Sequence, residues 1–359
     1  MIGKAGKTVA DSSPLGQSLS SPLGRPLAIG TVTIPNRVIL APMSGITDVP
    51  FRRLAQSLGA GLVVSEMTAC AGLARGEREA TVRSNGRGIA IHVVQLAGCE
   101  AHWMAEGARI AEEQGADIID INMGCPSKQV TNGASGSALM RDLAHALSLV
   151  EATVAAVRVP VTLKMRLGWD DASINAPELA KRAEAAGVRL VTVHGRTRCQ
   201  FYTGTADWQA IRAVKQAISI PLVVNGDIRS YADAVTALEE SGADAVMIGR
   251  AVQGRPWLPG QIARHADSGS AGQMPALEVQ YRLIDTLYDE LLSHHGIAIG
   301  RRHARKHLGW ALDTAAATAG ATSEQLKAHR SRVLTAEEPV HTRRLLSEAF
   351  SDFAWRAAA

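Results

Sequence analysis

Aromatic residues make up only 4% of this 359-residue chain, and there are four cysteines. Cys70, Cys99, Cys125 and Cys199 stand far apart, and none belongs to a Cys-x-x-Cys pair. That spacing argues against a zinc site and a disulfide framework, so no metal is expected and a reducing cytoplasm is the natural compartment. No apolar run approaches the ~20 residues that span a bilayer. Lys4 and Lys7 are followed by no apolar segment, which argues against a secretory signal. The formal net charge is only +4, so a polyanionic partner is permitted but not demanded. A Gly-x-Gly-x-x-Gly turn is also missing, which counts against a dinucleotide-binding doubly wound sheet.

What the chain does have is regular punctuation. Residues 1–25 read as a disordered tail, with "SPLG" at Ser13–Gly16 and again at Ser21–Gly24. The "GKAGKT" at Gly3–Thr8 lacks the first glycine of a phosphate-binding loop and has no strand before it. From Arg37 onward eight short β-branched runs follow: Arg37–Met43, Leu62–Met67, Ile89–Leu96, Ile118–Gly124, Val161–Gly168, Leu190–Arg196, Pro221–Asp227 and Ala245–Arg250. Near-continuous apolar runs suit parallel strands covered on both faces. Amphipathic Ala- and Leu-rich stretches lie between them, such as Glu100–Gln114, Arg141–Val157 and Tyr231–Ser241. Gly59, Gly115, Gly187 and Gly242 each close such a stretch, as helix C-termini prefer. Eight units of this kind predict an α/β fold, a (β/α)8 TIM barrel over 26–262, followed by a small all-α domain over 263–359.

Strand starts are 24 to 31 residues apart, except for the 43 between Ile118 and Val161. The extra length is the loop that carries Cys125. Long loops in compact barrels are usually functional. The active site of such a barrel lies at the C-terminal strand ends. Here those ends hold Pro42 and Met43, Glu66, Gln95, Asn122, Lys164 with Arg166, His194 with Arg196, Asn225 with Asp227, and Arg250. Any one polar residue there has a bland structural reading, but so many together do not, because buried polar groups need partners. Glycines in "NGD" (Asn225–Asp227) and at Gly249 let the backbone approach a phosphate, and Arg250 adds charge. Lys164 would face the N1–O2 edge of a flavin, Gln95 its ring edge, and Pro42, Met43 and Ser44 its floor. The expectation is a barrel that holds flavin mononucleotide.

These residues resemble the tRNA-dihydrouridine synthases, in particular their bacterial B-type branch. The resemblance runs from about Ile34 to Ala263 and more weakly to Trp310. It rests on "APMSGITDVPFRRL", "VQLAG", "DINMGCPSKQV", "GSALM", "LKMRLGW", "VHGRTRCQFYTGTADW", "VVNGDI" and "IGRAVQGRPW". It implies an FMN-dependent, NADPH-consuming oxidoreductase that reduces a D-loop uridine of tRNA to 5,6-dihydrouridine. By the resemblance, flavin binding falls on Pro42, Met43, Ser44, Gln95, Lys164, His194, Asn225, Gly226, Asp227, Gly249 and Arg250. The catalytic residue falls on Cys125, and Asn122 and Arg166 are assigned to the uracil pocket. A thiol is mostly protonated at neutral pH, so it can give C5 its proton after hydride reaches C6. Lys128 and Arg166 would steady the developing oxyanion or nearby phosphates.

The region after the barrel reads as helices, which suits a tRNA-binding domain. Its charge is nearly balanced, 12 Lys and Arg against 11 Asp and Glu over 261–359. The positive charge gathers at Arg301, Arg302, Arg305 and Lys306, with His303 and His307 between them. Arg302, Arg305 and Lys306 are therefore expected RNA contacts, with Arg196, Arg198 and Tyr202 beside the barrel mouth. Two alternatives stand: an FMN-dependent oxidoreductase of small pyrimidines, of the dihydroorotate or dihydropyrimidine dehydrogenase type, and a catalytically retired RNA-binding barrel. A monomer is the default.

Overall fold

The computed structural model describes residues 22–268 and 273–357. Eleven strands are present among them: β1 (Leu27–Ile29), β2 (Val32–Ile34), β3 (Val38–Leu40), β4 (Leu62–Val63), β5 (Thr68–Ala69), β6 (Val93–Ala97), β7 (Ile118–Met123), β8 (Val161–Arg166), β9 (Leu190–His194), β10 (Leu222–Asn225) and β11 (Ala245–Ile248). Strands β3 to β11 form one parallel sheet in the order β4-β3-β11-β10-β9-β8-β7-β6-β5. Its two edges, β4 and β5, are halves of a single run broken at Ser65–Met67. A bridge from Val64 to Val93 carries that run across to β6, so the sheet closes on itself as an eight-stranded barrel. All eight strands expected from the sequence are present.

Strand interiors are apolar because both faces are covered. One set, including Ile39, Leu62, Val93, Ile118, Leu190, Val223, Ala245 and Met247, fills the barrel, and the antiparallel hairpin β1–β2 packs Leu27, Ile29 and Ile34 beneath it. The sequence reading did not anticipate this hairpin. Its turn, at Gly30, approaches Pro160 and Arg189 at the starts of β8 and β9, so it plugs the N-terminal end. Most of the expected tail lies outside the described residues, as does the "GKAGKT" stretch. Its last turn nevertheless packs: Leu23 is fully buried in the main core.

Helices surround the barrel, among them Ala101–Glu113, Leu143–Ala156 and Tyr231–Ser241. Gly59, Gly115, Gly187 and Gly242 all have positive φ, as helix-terminating glycines should. The helix Leu258–Ser268 buries Leu258, Ile262, Ala263 and Ala266 in the barrel core, so the expected boundary after residue 262 falls inside it. Four further helices follow, Leu277–His295, Ile297–Ala319, Ser323–Thr335 and Pro339–Ala357. No helix among the described residues is long and apolar enough to cross a membrane.

The four-helix unit is seated on the loop after β3 and the helix Val49–Ser57 that follows it. His295 Nε2 lies 2.8 Å from Asp48 Oδ2, Arg53 pairs with Glu290 at 3.0 Å, and the rings of Phe51 and His307 lie 5.3 Å apart. His303 stacks on His295 at 4.4 Å, so Asp48, His295 and His303 form a compact group. Arg52 and Lys306 also act on Asp48, and a metal cation there would meet resident positive charge. The group is better read as a docking contact.

The tightest part of this seam is Gly254, with φ of +72°. A Cβ there would stand 2.3 Å from Trp310 O and 2.4 Å from Thr314 Oγ1. Gly320, left-handed with φ of +67° and ψ of 25°, has nothing within 4 Å. Gly254→Ala should therefore cost about 2 kcal/mol or more, and Gly320→Ala only the backbone strain of about 1 kcal/mol. Equal losses of thermal stability in the two variants would show that the seam is not under this steric constraint.

Candidate active site

The parallel register places the polar strand ends side by side. Gln95 on β6 is paired with Asp120 on β7, Asn122 with Lys164 on β8, Arg166 with His194 on β9, and His194 with Asn225 on β10. These residues share the C-terminal mouth. Into the same mouth come the β3 loop with Pro42, Met43 and Ser44, the β10 turn, and Gly249 with Arg250 after β11.

A hydrogen-bond chain runs across the first of these strands. Thr162 Oγ1 donates to Asp120 Oδ1 at 2.6 Å, and Gln95 Nε2 donates to Asp120 Oδ2 at 2.7 Å. Asn122 Nδ2 donates to Gln95 Oε1 at 2.8 Å. Asn122 Oδ1 in turn accepts the backbone N–H of Gly124 at 3.1 Å and of Cys125 at 3.0 Å. Backbone N–H groups can only donate, so Asn122 must present its oxygen to them and its amide nitrogen to Gln95. Gln95 must then point its own nitrogen at Asp120. Burial pushes the Asp120 carboxyl up, while Thr162, Gln95 and the Lys164 charge oppose that rise. Asp120 and Thr162 were not singled out from the sequence. The available signal was a carboxylate inside the apolar run "IIDINMG", which a barrel strand tolerates only when it is paired.

The Cys125 loop is held at both ends of its first turn. Ser137 Oγ and N–H donate to Cys125 O at 2.8 and 3.1 Å. Gly136, with φ of +60°, lies so close that a Cβ would come 2.9 Å from that carbonyl. The short helix Lys128–Thr131 and the 3-10 turn Gly136–Arg141 fill the loop, with Leu139 and Met140 buried. Rich in Gly and Ser as it is, the loop is therefore a pinned turn. Cys125 is half-buried at the mouth, whereas Cys70 is buried and its thiol is pushed up to about 12 by desolvation. Lys128 is exposed.

Two buried arginines brace the opposite wall. Arg166 Nε donates to Gly124 O at 2.8 Å, and its Nη1 donates to Thr197 O at 2.7 Å and Phe201 O at 2.9 Å. It therefore ties the Cys125 loop to the loop after β9. Arg196 donates to Thr203 O, Gly204 O and Asp227 Oδ2, at 3.0, 2.7 and 2.5 Å. Both were expected to touch substrate, and here most of their donors go to the protein itself. Desolvation and the neighbouring cations Lys164, Arg166, Arg196 and Arg250 hold His194 well below its ordinary value, so its imidazole is neutral at pH 7. Its Nε2 lies 3.3 Å from Arg196 Nη1 and accepts from it.

Lys164 donates to Asn225 Oδ1 at 3.0 Å, and Asn225 Nδ2 donates to Met247 O at 2.8 Å. Desolvation, then the Arg166 charge, brings the Lys164 amine down to about 8. Next to Asn225, Gly226 has φ of +121° and Asp227 φ of +53°. A Cβ on Gly226 would stand 2.7 Å from Ala206 Cβ and 3.0 Å from His194. Asp227 holds its strained backbone by accepting from Ala206 N–H at 2.8 Å as well as from Arg196. At Gly249 the nearest atoms to an added Cβ, on Ala41 and Met43, are 3.8 Å away, so the backbone there is open to approach. The Arg250 guanidinium is half-exposed and only 3.4 Å from Asp227 Oδ1. This backbone opening beside a half-exposed arginine fits a phosphate group, and the buried amine and neutral imidazole fit a polar ring edge.

The Arg301–Lys306 run does not act as one patch. Arg302 and Arg305 are exposed. Lys306 instead reaches the barrel mouth, with its Nζ 3.0 Å from where a Gly45 Cβ would be, beside Glu66, whose Oε1 accepts the Gly45 N–H. His307 is buried between Phe51 and Trp310. Tyr202 is exposed, with Arg250 4.8 Å and Arg166 5.7 Å from its ring centroid.

Fold and mouth together define a (β/α)8-barrel enzyme whose polar residues gather at the C-terminal strand ends. The chain belongs to the dihydrouridine synthase family, whose model, "Dihydrouridine synthase (Dus)", matches residues 39–353. It is 54% identical over 308 residues to a "Probable tRNA-dihydrouridine synthase" of Rhizobium leguminosarum bv. phaseoli, covering 86% of this chain and 93% of the relative. A protein of the same name from Rhodobacter capsulatus is 47% identical over 329 residues, covering 91% and 98%. "tRNA-dihydrouridine synthase B" of Pseudomonas putida is 47% identical over 287 residues, covering 80% and 85%. Among solved structures, morphinone reductase matches with a TM-score of 0.52 at 17% identity, over 74% of this chain and 94% of its own. A 2-naphthoyl-CoA reductase matches at 0.54 and 15%, over 70% and 52%. These two likenesses bear on the fold.

The polarity of the Asp120–Gln95–Asn122 chain is open to test. Asn122→Asp puts a carboxylate where Gln95 presents an oxygen. Adding Asp120→Asn lets Gln95 turn round and restores every donor–acceptor pair. Asn122→Asp alone should lower thermal stability and change the rate of Cys125 alkylation, measured by peptide mapping. The double variant should recover both, with coupling of about fivefold or more. Independent, multiplicative effects would reject the chain.

Proposed function

We propose that the protein is a tRNA-dihydrouridine synthase that reduces the C5–C6 bond of a D-loop uridine in tRNA, using flavin mononucleotide regenerated by NADPH. The observation that carries this reading is Cys125, whose backbone is pinned by Asn122 and Ser137 at the mouth that also holds Lys164, His194 and the open Gly249–Arg250 backbone. Family membership and relatives of near-equal length that bear the synthase name support it.

Asn225, Gly226, Asp227, Gly249 and Arg250 would receive the flavin phosphate, and Pro42, Met43, Ser44, Gln95, Lys164 and His194 would surround its ring. When bound, the flavin supplies the hydride that uracil C6 receives. The chain's own residues do the rest. Cys125 gives its proton to C5 from the other side of the base. Asn122 holds the Cys125 backbone in place, and its second amide N–H, which otherwise meets only Met67 Sδ at 3.9 Å, would turn to the uracil edge. Lys164, charged at pH 7, stabilises negative charge on the ring, and neutral His194 supports the ring without adding charge. Arg166 keeps the Cys125 loop and the β9 loop together, which shapes the pocket and excludes water.

A uridine inside tRNA must leave its stack to reach such a mouth, at a cost of about a few kcal/mol. The helical unit, with exposed Arg302 and Arg305, would hold the RNA by its phosphates. A small pyrimidine needs no such surface, nor the exposed Phe201 and Tyr202 at the rim.

Cys125→Ala should keep its flavin and let NADPH reduce it, while dihydrouridine formation, read by mass spectrometry of tRNA, falls by about 100-fold or more. Near wild-type turnover would exclude the thiol as the acid. The Lys164 amine has a depressed pKa, so it gives up its proton as pH rises through about 8 rather than at its ordinary 10.5. The affinity of the flavin-free protein for flavin mononucleotide should therefore weaken between pH 7 and 9. Lys164→Met should be weak throughout and lack that slope, and titration by fluorescence quenching would check both.

A further inference from the structure

At the barrel mouth Arg198, expected above as an RNA contact, and Arg141, not assigned until now, carry two positive charges with no ion-pair partner among the described residues. Trp169 lies in the loop after β8, and two guanidinium carbons stand over its ring, Arg141 at 4.9 Å and Arg198 at 4.7 Å from the centroid. The three residues come from three neighbouring mouth loops. Arg141 ends the turn Gly136–Arg141 that closes the Cys125 loop, and Arg198 belongs to the loop after β9. Backbone bonds from Arg198 N–H to Gly168 O (3.0 Å) and from Cys199 N–H to Trp169 O (2.9 Å) fasten the β8 and β9 loops to each other.

Two guanidinium ions gathered on one ring repel each other. The ion pairs at this mouth run from Arg196 and Arg250 to Asp227. Among the described residues none runs from Arg141 or Arg198. Of the acids next in sequence, Asp170 accepts from Ser173 Oγ at 2.7 Å, Asp142 accepts from the His145 N–H at 3.0 Å, and Asp171 is exposed. Arg198 Nε is moreover buried without a hydrogen-bond partner, which buried donors rarely are. The ring offers each cation about 0.5–2 kcal/mol of attraction but no acceptor oxygens. What is missing is an anion with several oxygens.

We propose that Arg141, Trp169 and Arg198 form a fork for the sugar–phosphate backbone of the substrate RNA next to the uridine that enters the mouth. This rests on the activity proposed above and adds a phosphodiester site to it. Guanidinium groups match phosphate oxygens two at a time, and a ring that already orders both arms lowers the entropy lost on binding. The fork lies at the rim: Arg141 is exposed, and Phe201 and Tyr202, three and four residues beyond Arg198, expose 43% and 44% of their surface. Cationic groups interleaved with exposed aromatic faces suit an unstacked single strand better than a compact dinucleotide. Arg141 also ends the loop that carries Cys125, so a strand held there would run beside that loop.

The test uses the flavin-loaded full chain and unmodified tRNA. Arg141→Gln with Arg198→Gln should weaken tRNA binding by about tenfold or more at physiological salt. It should also lower the slope of log affinity against log salt by roughly one to two. The Lys pair at the same positions should regain most of the slope but less of the affinity, because lysine lacks the planar fork. Unchanged affinity and slope in the Gln pair would overturn the proposal. So would a rise in the KM for NADPH with tRNA binding intact, since the anion would then be the dinucleotide's phosphate. Arg141 is exposed, so Arg141→Gln alone decides the matter, with a smaller loss in the same direction, if the Arg198 change impairs folding. Wild-type protein that binds tRNA through this fork yet forms no dihydrouridine would remove the proposed activity and leave the fork standing.

Discussion

Parallel pairing fixes which side chains can meet at the mouth. In a parallel ladder neighbours of equal register stand side by side, and a shift of one residue would send each side chain to the other face. The pairing of Gln95 with Asp120, of Asn122 with Lys164, and of His194 with both Arg166 and Asn225 turns five separate strand ends into one polar layer. The apolar residues below that layer hold the register, because any slip would expose them and bury unpaired charge. Stability and the site thus depend on the same pairing. The break in the second strand at Ser65–Met67 belongs to the same scheme: it closes the sheet and leaves Ser65 Oγ to accept the Gln95 N–H at 2.9 Å.

Above the layer, side chains rather than strands hold the loops. Arg166 and Arg196 are nearly fully buried, and burial of a guanidinium costs several kcal/mol unless its donors are satisfied. Here the acceptors are backbone carbonyls of the Cys125 and β9 loops, together with Asp227. Desolvation first, and then the positive charge gathered at the mouth, keeps His194 neutral and depresses Lys164. One set of arginines therefore positions the loops and also tunes the groups expected to face a cofactor.

Much of this was legible in the chain. The eight strands, the helix-terminating glycines and the long loop after β7 all fall where periodicity and punctuation place them, because those signals are local. The hairpin Leu27–Ile34 was not anticipated: three-residue strands give little alternation to read, and their role is to plug a barrel end that no local signal announces. Asp120 and Thr162 were passed over because a single polar residue in an apolar run looks incidental until its partners from β6 and β8 are seen. The basic run near residue 305 read as one surface, yet helix geometry turns Arg302 and Arg305 outward, Lys306 toward Gly45 and His307 into the seam.

The sequence by itself determined the fold class, the order of the strands and the residues their C-terminal ends would deliver. Apolar periodicity and glycine placement act over a few residues and need no distant partner. Only the tertiary structure decided what each delivered residue does there. Whether Arg166 is a strut, whether Asn122 turns its oxygen or its nitrogen to the Cys125 backbone, and how firmly Cys125 is held depend on contacts between positions 12 to 42 residues apart. Such contacts exist only once the barrel has closed.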